Sequence, residues 1–307
     1  MSSLSVQGVH HWFGDNKVLH DVNLDIAAGQ VVSLVGPSGC GKSTLLKAIL
    51  GTHPAKAGDI YAGDRKIIQP SRDIGIVYQH YSLYDFLTAQ ENVAFGLMLD
   101  ETTTFERTFM PWSSLPKRKR HLELAAEMLE KVNLSNSMDK YPTELSGGMR
   151  QRVAIAQALV MKPRVLLLDE PFGALDESTR EELQLILLSF YQENIEAKAK
   201  GEVPPYTILI VTHELTEAIY VADRVVGLSQ YHENNKCDEK GNFDKKVGAT
   251  IVYDQPAPIF HPNDPKEYEM FEDQRTELRK SVFDEKTLQC HLEYVQFWDK
   301  QQAGIVN

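Results

Sequence analysis

The chain is poor in cysteine. Cys40, Cys237 and Cys290 are its three cysteines among 307 residues, and they lie far apart. An odd, widely spaced set provides neither a disulfide framework nor the closely spaced pairs that bind zinc. We therefore expect the protein to work in a reducing compartment.

Long apolar runs are absent too. No stretch reaches the roughly 18 consecutive apolar residues that a membrane-spanning helix needs. The first residues, 1–4, lack a charged segment followed by an apolar core, so we expect no secretory signal. With 42% hydrophobic and 24% charged residues, the composition is that of a soluble globular protein with one large or two smaller domains.

Positive charge is in deficit. Lysine and arginine number 32 against 43 aspartates and glutamates, which gives a net charge of -11. General nucleic-acid binders are usually basic, so we expect no nucleic-acid partner. One basic run, residues 117–120, departs from this balance. It is either a contact for anionic lipid or nucleic acid, or the solvated start of a helix.

The most informative stretch is a glycine-rich loop between a strand and a helix. Residues 31–35 form a short β-rich apolar run, and residues 44–50 carry apolar side chains at helical spacing. The residues that join them fit the phosphate-binding pattern G-x-x-x-x-G-K-[ST]. They are Gly36, Pro37, Ser38, Gly39, Cys40, Gly41, Lys42, Ser43 and Thr44. Strand, glycine loop and helix in this order predict a site for nucleotide phosphates.

The chemistry of this loop favours the phosphates over the base. Its glycines allow consecutive backbone N–H groups to form a concave anion site. One charge pair between Lys42 and a phosphate, at about 4 Å and an effective dielectric of about 20, is worth about 4 kcal/mol. A base stacked on an aromatic ring is worth about 1–3 kcal/mol. The Ser43 hydroxyl is the expected Mg²⁺ ligand.

Two adjacent carboxylates end a second buried strand. The apolar run 165–168 leads directly into Asp169 and Glu170. The first carboxylate is placed to hold Mg²⁺, and the second to polarise a water for attack on a phosphate. Neighbouring acids repel each other unless a cation is close, so the pair is either a metal site or a surface Asp-Glu turn, and the phosphate loop in the same chain favours the metal site.

Single polar residues follow two other strands. Gln79 comes after the apolar run 74–78, at the strand end where α/β sheets bind ligands. It could reach Mg²⁺ or the attacking water, although most glutamines are solvated surface residues. His213 follows the run 207–212, and its place indicates either a contact with the terminal phosphate or an ordinary structural histidine.

Two further features have both a functional and a structural interpretation. Ser146, followed by Gly147 and Gly148, opens a helix, either as a second anion site or as an ordinary cap. Trp12 and Phe13 precede a glycine turn, either as a platform for adenine or as strand packing.

The remaining patterns outline the rest of the chain. They predict short strands over 4–27, a hairpin over 58–68, helices over 85–134, a polar loop over 193–206, a last core strand at 225–228, a polar segment over 230–246 and one or two amphipathic helices over 264–302. We find no internal repeat.

Taken together and in this order, the motifs resemble the ATP-binding subunits of ABC transporters over about residues 5–229. The resemblance implies the following roles: the phosphate loop at 36–44, Gln79 as the Q-loop glutamine, the signature at 145–152, Asp169 as the Walker B aspartate, Glu170 as the catalytic glutamate, Asp176 as the D-loop aspartate, His213 as the switch histidine and Phe13 as the aromatic on adenine. Two positions depart from the pattern: Met149 replaces the commoner glutamine of the signature, and Gln157 stands where arginine is usual.

The resemblance also implies a fold. It is an α/β P-loop NTPase with a mixed or parallel core sheet, an antiparallel β subdomain, a helical subdomain at about 83–160 and a C-terminal helical extension. The implied division is an ATPase domain over 1–229, followed by a polar linker and extension over 230–307.

A mechanism comes with the family. The resemblance implies that two copies, expected to be identical, face head to tail. Each ATP then lies between Lys42 of one copy and residues 146–148 of the other. Mg²⁺ is held by Ser43, Gln79 and Asp169. Glu170 and Gln79 act on the water, and His213 stabilises the γ-phosphate. The implied partners are the second ATPase subunit, transmembrane permease subunits and, indirectly, a solute-binding protein. The implied location is the cytoplasmic face of the plasma membrane.

The particular residues at the motif positions resemble those of one group of prokaryotic importers, the importers for nitrate, taurine and aliphatic sulfonates. It is carried by residues 36–44, 91–97 and 145–152. The alternatives are an exporter ATPase and a non-transport ABC ATPase acting on DNA or ribosomes. Residues 235–238 also fit the N-K-x-D pattern with which GTPases read guanine. That motif normally ends an apolar strand, and here it follows a polar stretch.

Overall fold

The computed structural model describes residues 2–79, 82–101, 115–230, 248–261 and 271–283. They form two compact units. The first unit comprises 2–71, 211–230, 248–259 and 271–283, and the second comprises 72–79, 82–101, 115–210 and 260–261.

An antiparallel sheet forms one part of the first unit. Its strands are β1 (Ser2–Phe13), β2 (Asn16–Ala27), β4 (Ala57–Ala62) and β5 (Arg65–Lys66), in the order β2-β1-β4-β5. Buried and exposed residues alternate along β2, as in a sheet with one face on a core. Strands at 4–27 are confirmed, but they are two long strands of 12 residues each and not short ones. The hairpin predicted at 58–68 is confirmed as β4 and β5, but its second strand is misplaced: β5 ends at Lys66, and Ile68 is 66% exposed.

The second part of the first unit is built on β3 (Val31–Val35), in which every residue is buried. It pairs in parallel with β9 (Arg224–Ser229). The α-helix α1 (Lys42–Leu50) follows β3 after the glycine loop. A short helix, α6 (Leu215–Val221), precedes β9. The burial of Leu45, Leu46 and Ile49 explains why α1 forms here, since these side chains share one face.

The expectation that residues 225–228 form the last core strand is wrong. Another strand, β10 (Thr250–Pro256), pairs antiparallel with β9. Its pairing is reinforced by a bidentate ion pair in which Arg224 contacts both carboxylate oxygens of Asp254 at 2.6 Å. Its first four residues, 250–253, are β-branched or aromatic and so carry a local strand signal that the prediction overlooked, while the polar residues and the proline at its end shorten that signal.

The described part of the C-terminal extension docks on these strands. It consists of the helix α7 (Glu272–Leu278) and a helical turn at Arg279–Phe283. Val282 lies over Gly227 of β9, where a Cβ on the glycine would come within 2.4 Å of Val282 Cγ2. Gln274 donates to the carbonyl of Pro256 at 2.9 Å. This segment therefore belongs to the core of its own unit.

The second unit contains parallel strands and most of the helices. Strand β6 (Ile74–Val77) pairs in parallel with β7 (Val165–Asp169), and the backbone N–H of Leu166 donates to Thr207, just before β8 (Ile208–Thr212). Its helices are α2 (Ala89–Glu101), α3 (Leu115–Lys131), α4 (Gly147–Leu159) and α5 (Glu177–Ala199), with single 3₁₀ turns at Ser135–Ser137 and Pro142–Glu144.

Half of the polar loop predicted at 193–206 is helix. Helix α5 continues through Ala199, and the connection to β8 is correspondingly short. The reason is a buried amide: Asn194 donates to the carbonyl of Tyr206 at 2.6 Å and accepts from the N–H of Tyr206 at 2.9 Å. The ring of Tyr206 also lies against Phe190, with 4.7 Å between centroids. Sequence periodicity alone could not show this return of the chain.

The fold class predicted from the sequence is confirmed: a P-loop NTPase fold with a mixed sheet, an antiparallel subdomain and helices. The domain boundary at residue 229 stays a prediction. Parts of three predictions lie outside the described residues: 102–114 of the helices predicted over 85–134, 231–246 of the polar segment with its N-K-x-D match, and 264–270 and 284–302 of the predicted C-terminal helices. Among the residues described, no helix combines the length and the apolar character needed to cross a membrane.

Candidate functional site

The phosphate loop of the first unit lies at the carboxyl end of β3 and leads into α1. Gly36 must be glycine, because a Cβ there would lie 2.3 Å from the carbonyl oxygen of Leu228. Gly39 and Gly41 have φ angles of 77° and 113°, which side chains disfavour. The loop therefore turns as a phosphate cradle requires, with backbone N–H groups at the start of a nine-residue helix.

Lys42 spans this loop. Its side chain is buried, and its ammonium donates to the carbonyl of Gly36 at 2.6 Å and to that of Pro37 at 3.0 Å. These bonds hold the charge over the loop backbone. Ser43, the next residue, is exposed on the first turn of α1, so its hydroxyl is available to a metal ion. Helix α1 begins at Lys42, two residues earlier than predicted.

Two side chains, those of Cys40 and Gln230, stabilise the loop by contacts with its glycines. Cys40 is buried with its sulfur close to Gly36, and burial raises the pKa of its thiol, an effect partly offset by the charge of Lys42. The Gln230 side-chain amide donates to the carbonyl of Gly39 at 3.2 Å. Sequence reasoning missed Gln230, because nothing in its neighbourhood marks a contact with a loop about 190 residues earlier.

Phe13 and His213 are also in the first unit. Phe13 is 52% exposed at the end of β1, while the neighbouring His11 is buried and its ring centroid lies 4.7 Å from that of Phe13. An exposed aromatic side chain at this point suits base stacking better than core packing. His213 is exposed directly after β8, as predicted.

The carboxylates of the second unit follow β7. Asp169 ends the strand, and Glu170 has a φ of 49°, the left-handed region that costs a residue with a side chain about 1–2 kcal/mol. Strain of this kind collects at functional sites, where it fixes the direction of a side chain.

The structure brings Glu170 and Gln79 together. The position that a Cβ on Gly173 would occupy lies 3.7 Å from Nε2 of Gln79 and 3.7 Å from Oε2 of Glu170. An amide and a carboxylate thus border the same small space, which glycine leaves open. Gln79 itself is exposed two residues beyond the end of β6.

The signature residues begin α4. Ser146 caps the helix in an extended conformation, and its hydroxyl accepts from the N–H of Met149 at 3.3 Å. The loop before it is held by Arg150, which donates to the carbonyl of Leu145 at 2.6 Å. Gly147 and Gly148 form the first turn, so their N–H groups lie at the positive end of the helix dipole.

Asp176 begins the next helix, α5. Its carboxylate accepts from the N–H of Thr179 at 3.4 Å. Hydrogen bonding from the Thr179 side chain and backbone holds the pKa of Asp176 below its usual range. Sequence reasoning missed Thr179, although an aspartate at a helix start is a recognisable N-cap, whose carboxylate accepts from the backbone N–H two or three residues later.

The oxygen atoms predicted to hold Mg²⁺ suit that ion chemically. A hydroxyl from Ser43, an amide oxygen from Gln79 and a carboxylate from Asp169 are hard ligands, and Mg²⁺ usually completes its shell with water and substrate phosphates. Within the described ranges, no three histidine, cysteine or acidic side chains gather as a protein-only metal site. The assignment of these three residues to Mg²⁺ stays a prediction.

The sequence profile of the family described as "ABC transporter" matches residues 19–173, from β2 through the phosphate loop, the signature and the carboxylate pair. The chain belongs to the ABC transporter ATP-binding family. The matched residues include the phosphate loop, Gln79, the signature and the carboxylate pair, whereas Phe13, Asp176 and His213 lie outside the match.

Curated relatives extend the match beyond the profile. The chain is 39% identical over 261 residues to the sulfate/thiosulfate import ATP-binding protein CysA of Halalkalibacterium halodurans, covering 84% of this chain and 65% of that protein. It is 40% identical over 262 residues to the CysA protein of Pseudomonas aeruginosa, covering 84% and 70%. The chain thus spans about two thirds of the length of the curated relatives it matches.

Solved cassettes share the fold. A dimeric ATP-binding cassette in a post-hydrolysis state with ADP and Pi aligns with a TM-score of 0.60 at 26% identity, over 84% of this chain and all of that one. The cbiO1 cassette of Clostridium perfringens, part of the cbiONQ transporter complex, aligns with a TM-score of 0.64 at 23% identity. The second likeness supports the fold alone.

Proposed function

We propose that this protein is the ATP-hydrolysing subunit of a membrane importer for a small anion. The observation that carries the proposal is the presence, in one ABC cassette sequence, of a glycine loop closed by Lys42 and of a strand-end carboxylate pair, Asp169 and Glu170. The first set of residues suits triphosphate binding, and the second suits activation of water.

The proposed roles follow from charge and position. Lys42 and the N–H groups of the loop hold the outer phosphates of ATP, and Phe13 stacks on the adenine. Ser43, Gln79 and Asp169 hold Mg²⁺, which when bound neutralises charge on the phosphates. Glu170 orients the attacking water and takes up its proton. His213 donates to the γ-phosphate as negative charge develops there.

The proposed assembly is a dimer of cassettes. Ser146 and Gly147 lie at an accessible helix N-terminus, with Gly148 buried behind them, and such an N-terminus suits the phosphates of an ATP bound to a second copy. Asp176 is proposed to act on the same nucleotide. The ADP-bound cassette with similar fold is itself dimeric. The dimer would act on permease subunits at the cytoplasmic face of the membrane, with a solute-binding protein as an indirect partner.

The transported solute is proposed at the level of a chemical class. The residues at the motif positions favour nitrate, taurine or sulfonates as the transported solute. The curated relatives are named for sulfate and thiosulfate import. All of these are small solutes that carry an anionic oxygen-bearing group. Sulfate and thiosulfate therefore come first in any test, followed by nitrate and taurine.

Lys42→Ala tests nucleotide binding. Removing a charge worth about 4 kcal/mol at about 4 Å in a partly screened site should weaken ATP binding strongly. Isothermal titration of the purified chain measures this directly. Lys47→Ala, which removes a charge from the last turn of the same helix, serves as the matched control. Equal ATP affinity in wild type and Lys42→Ala would refute the role of Lys42.

A pull-down from solubilised membranes of the native host tests the transport role. The Glu170→Gln protein, held with ATP, should retain two permease subunits and a solute-binding protein. The solute-binding protein would then be titrated with sulfate, thiosulfate, nitrate and taurine. Recovery of ribosomes or DNA instead would keep the ATPase and remove the importer, and permeases without a binding protein would favour an exporter.

A further inference from the structure

We propose that Thr179 is a positioning residue that fixes the signature glycine Gly148 to the D-loop aspartate Asp176, so that both move as one body. The proposal rests on the proposed function, in which residues 146–148 and Asp176 act on the nucleotide of a second copy. Glycine is then required at position 148 by a contact with Thr179 of the same chain, and not only by the nucleotide of a second copy.

The first observation is a very close approach of two helices. A Cβ built on Gly148, in the first turn of α4, would lie 1.7 Å from Cγ2 of Thr179, in the first turn of α5. The same Cβ would lie 3.1 Å from Cβ and 3.5 Å from Oγ1 of Thr179. The threonine methyl group therefore fills the space in which a side chain at position 148 would stand.

The second observation concerns the other side of Thr179. Its backbone N–H donates to Asp176 at 3.4 Å, and its side chain also bonds to that carboxylate. A threonine thus presents its methyl group to the signature and its polar groups to the D-loop. Neither serine nor valine keeps both contacts, since serine lacks the methyl group and valine lacks the hydroxyl.

A third contact joins the same two helices farther along. Arg152 of α4 is buried, and its guanidinium lies 3.1 Å from Oε2 of Glu182 on α5. This ion pair limits sliding of one helix along the other, while the Thr179 methyl group sets their separation at the N-termini. A displacement of the D-loop is therefore transmitted to the signature of the same chain.

The direction of coupling follows from the chain. Glu170, Gly173 and Asp176 belong to one short segment, and the space beside Gly173 is bordered by the carboxylate of Glu170. A change at the hydrolytic carboxylate of one copy can reach Asp176, then Thr179, then Gly148. In the proposed dimer Gly148 faces the other nucleotide, so Thr179 links the two sites.

A size-swap experiment on the full chain tests the proposal. Three variants are needed: Gly148→Ala, Thr179→Ser and the double variant, with Ser178→Ala as the control in the same helical turn. For each, ATP turnover is measured as kcat and KM, ATP affinity of the isolated subunit is measured by titration, and the urea midpoint is measured without nucleotide.

Gly148→Ala should lower turnover by about tenfold or more and lower the urea midpoint, because the added methyl group overlaps that of Thr179. Its ATP affinity as an isolated subunit should stay at the wild-type value, since the phosphate loop is untouched. Thr179→Ser should cost less than Gly148→Ala in both measurements. The double variant should recover turnover and midpoint to near the values of Thr179→Ser.

A double variant no better than Gly148→Ala would overturn the proposal. Recovery of the urea midpoint without recovery of turnover would also overturn it, because Gly148 would then be glycine for the nucleotide and not for Thr179. A wild-type protein that hydrolyses no ATP would refute the proposed function instead. The urea cycle would still decide whether the Thr179–Gly148 contact exists.

Discussion

Adding one methyl group to the phosphate loop, in Gly36→Ala, should damage both folding and nucleotide binding. The new Cβ would lie 2.3 Å from the carbonyl oxygen of Leu228 and 2.9 Å from the sulfur of Cys40. Cβ atoms essentially never approach another heavy atom within 3.0 Å, so the loop must shift by at least 0.7 Å, the difference between 2.3 and 3.0 Å.

The backbone of Leu228 cannot easily give way, because β9 pairs with β3 directly beside this point. Overpacking of this kind costs about 1–3 kcal/mol of unfolding free energy. A displacement approaching 1 Å at a site of fixed geometry can cost about 100-fold in function, so ATP binding should weaken by at least about tenfold. The assays are urea unfolding and isothermal titration with ATP.

Ser38→Ala is the matched control for stability, since Ser38 is exposed in the same loop and its change should stay within about 0.5 kcal/mol. Gly36→Ala with wild-type stability and wild-type ATP affinity would refute the close approach of the loop to β9.

Two further predictions concern the second unit. Asn194→Ala leaves the buried N–H and C=O of Tyr206 without their partners, so the free energy of unfolding should fall by about 2–5 kcal/mol. The control Glu196→Ala changes an exposed side chain and should alter the free energy of unfolding by less than about 0.5 kcal/mol. A loss for Asn194→Ala no larger than that of the control would contradict the stabilising role of these two hydrogen bonds. Asp176→Asn should lower the free energy of unfolding near neutral pH and have little effect in acid. Hydrogen bonding from Thr179 lowers the folded-state pKa of Asp176, so the ionised carboxylate stabilises the fold fully above its unfolded pKa of about 3.8. That stabilisation disappears as the pH falls through the lower folded-state pKa. Urea midpoints of both proteins from pH 6 to pH 3 check the second prediction, and a gap that grows toward low pH would contradict it.

The sequence was sufficient for the parts of the site that depend on local patterns. A glycine loop between a strand and a helix predicts its own geometry, since only glycine tolerates the φ of Gly41 and the contact at Gly36. The strand ending in Asp169 and Glu170 is recognisable for a similar reason, because a continuous apolar run needs burial on both faces.

The sequence was insufficient where contacts join distant segments. The β-branched and aromatic run at residues 250–253 favours a strand, but nothing local shows that this strand pairs antiparallel with β9, where an ion pair between Arg224 and Asp254 reinforces it. Nothing near residue 194 predicts that helix α5 continues through this polar stretch, because the stabilising hydrogen bond from Asn194 goes to Tyr206, twelve residues later. Both features arise from tertiary hydrogen bonds, to which helical and strand periodicities are blind.

The rate of ATP hydrolysis by the Glu170→Gln protein decides whether the Glu170 carboxylate activates the attacking water. We expect this variant to bind ATP with near wild-type affinity and to hydrolyse it roughly 10²–10⁴-fold more slowly, because the group that activates water is lost. Glu202→Gln, a change of an exposed carboxylate in the loop before β8, should hydrolyse ATP at the wild-type rate. A Glu170→Gln protein as active as wild type would contradict the assignment of Glu170 and the proposed mechanism.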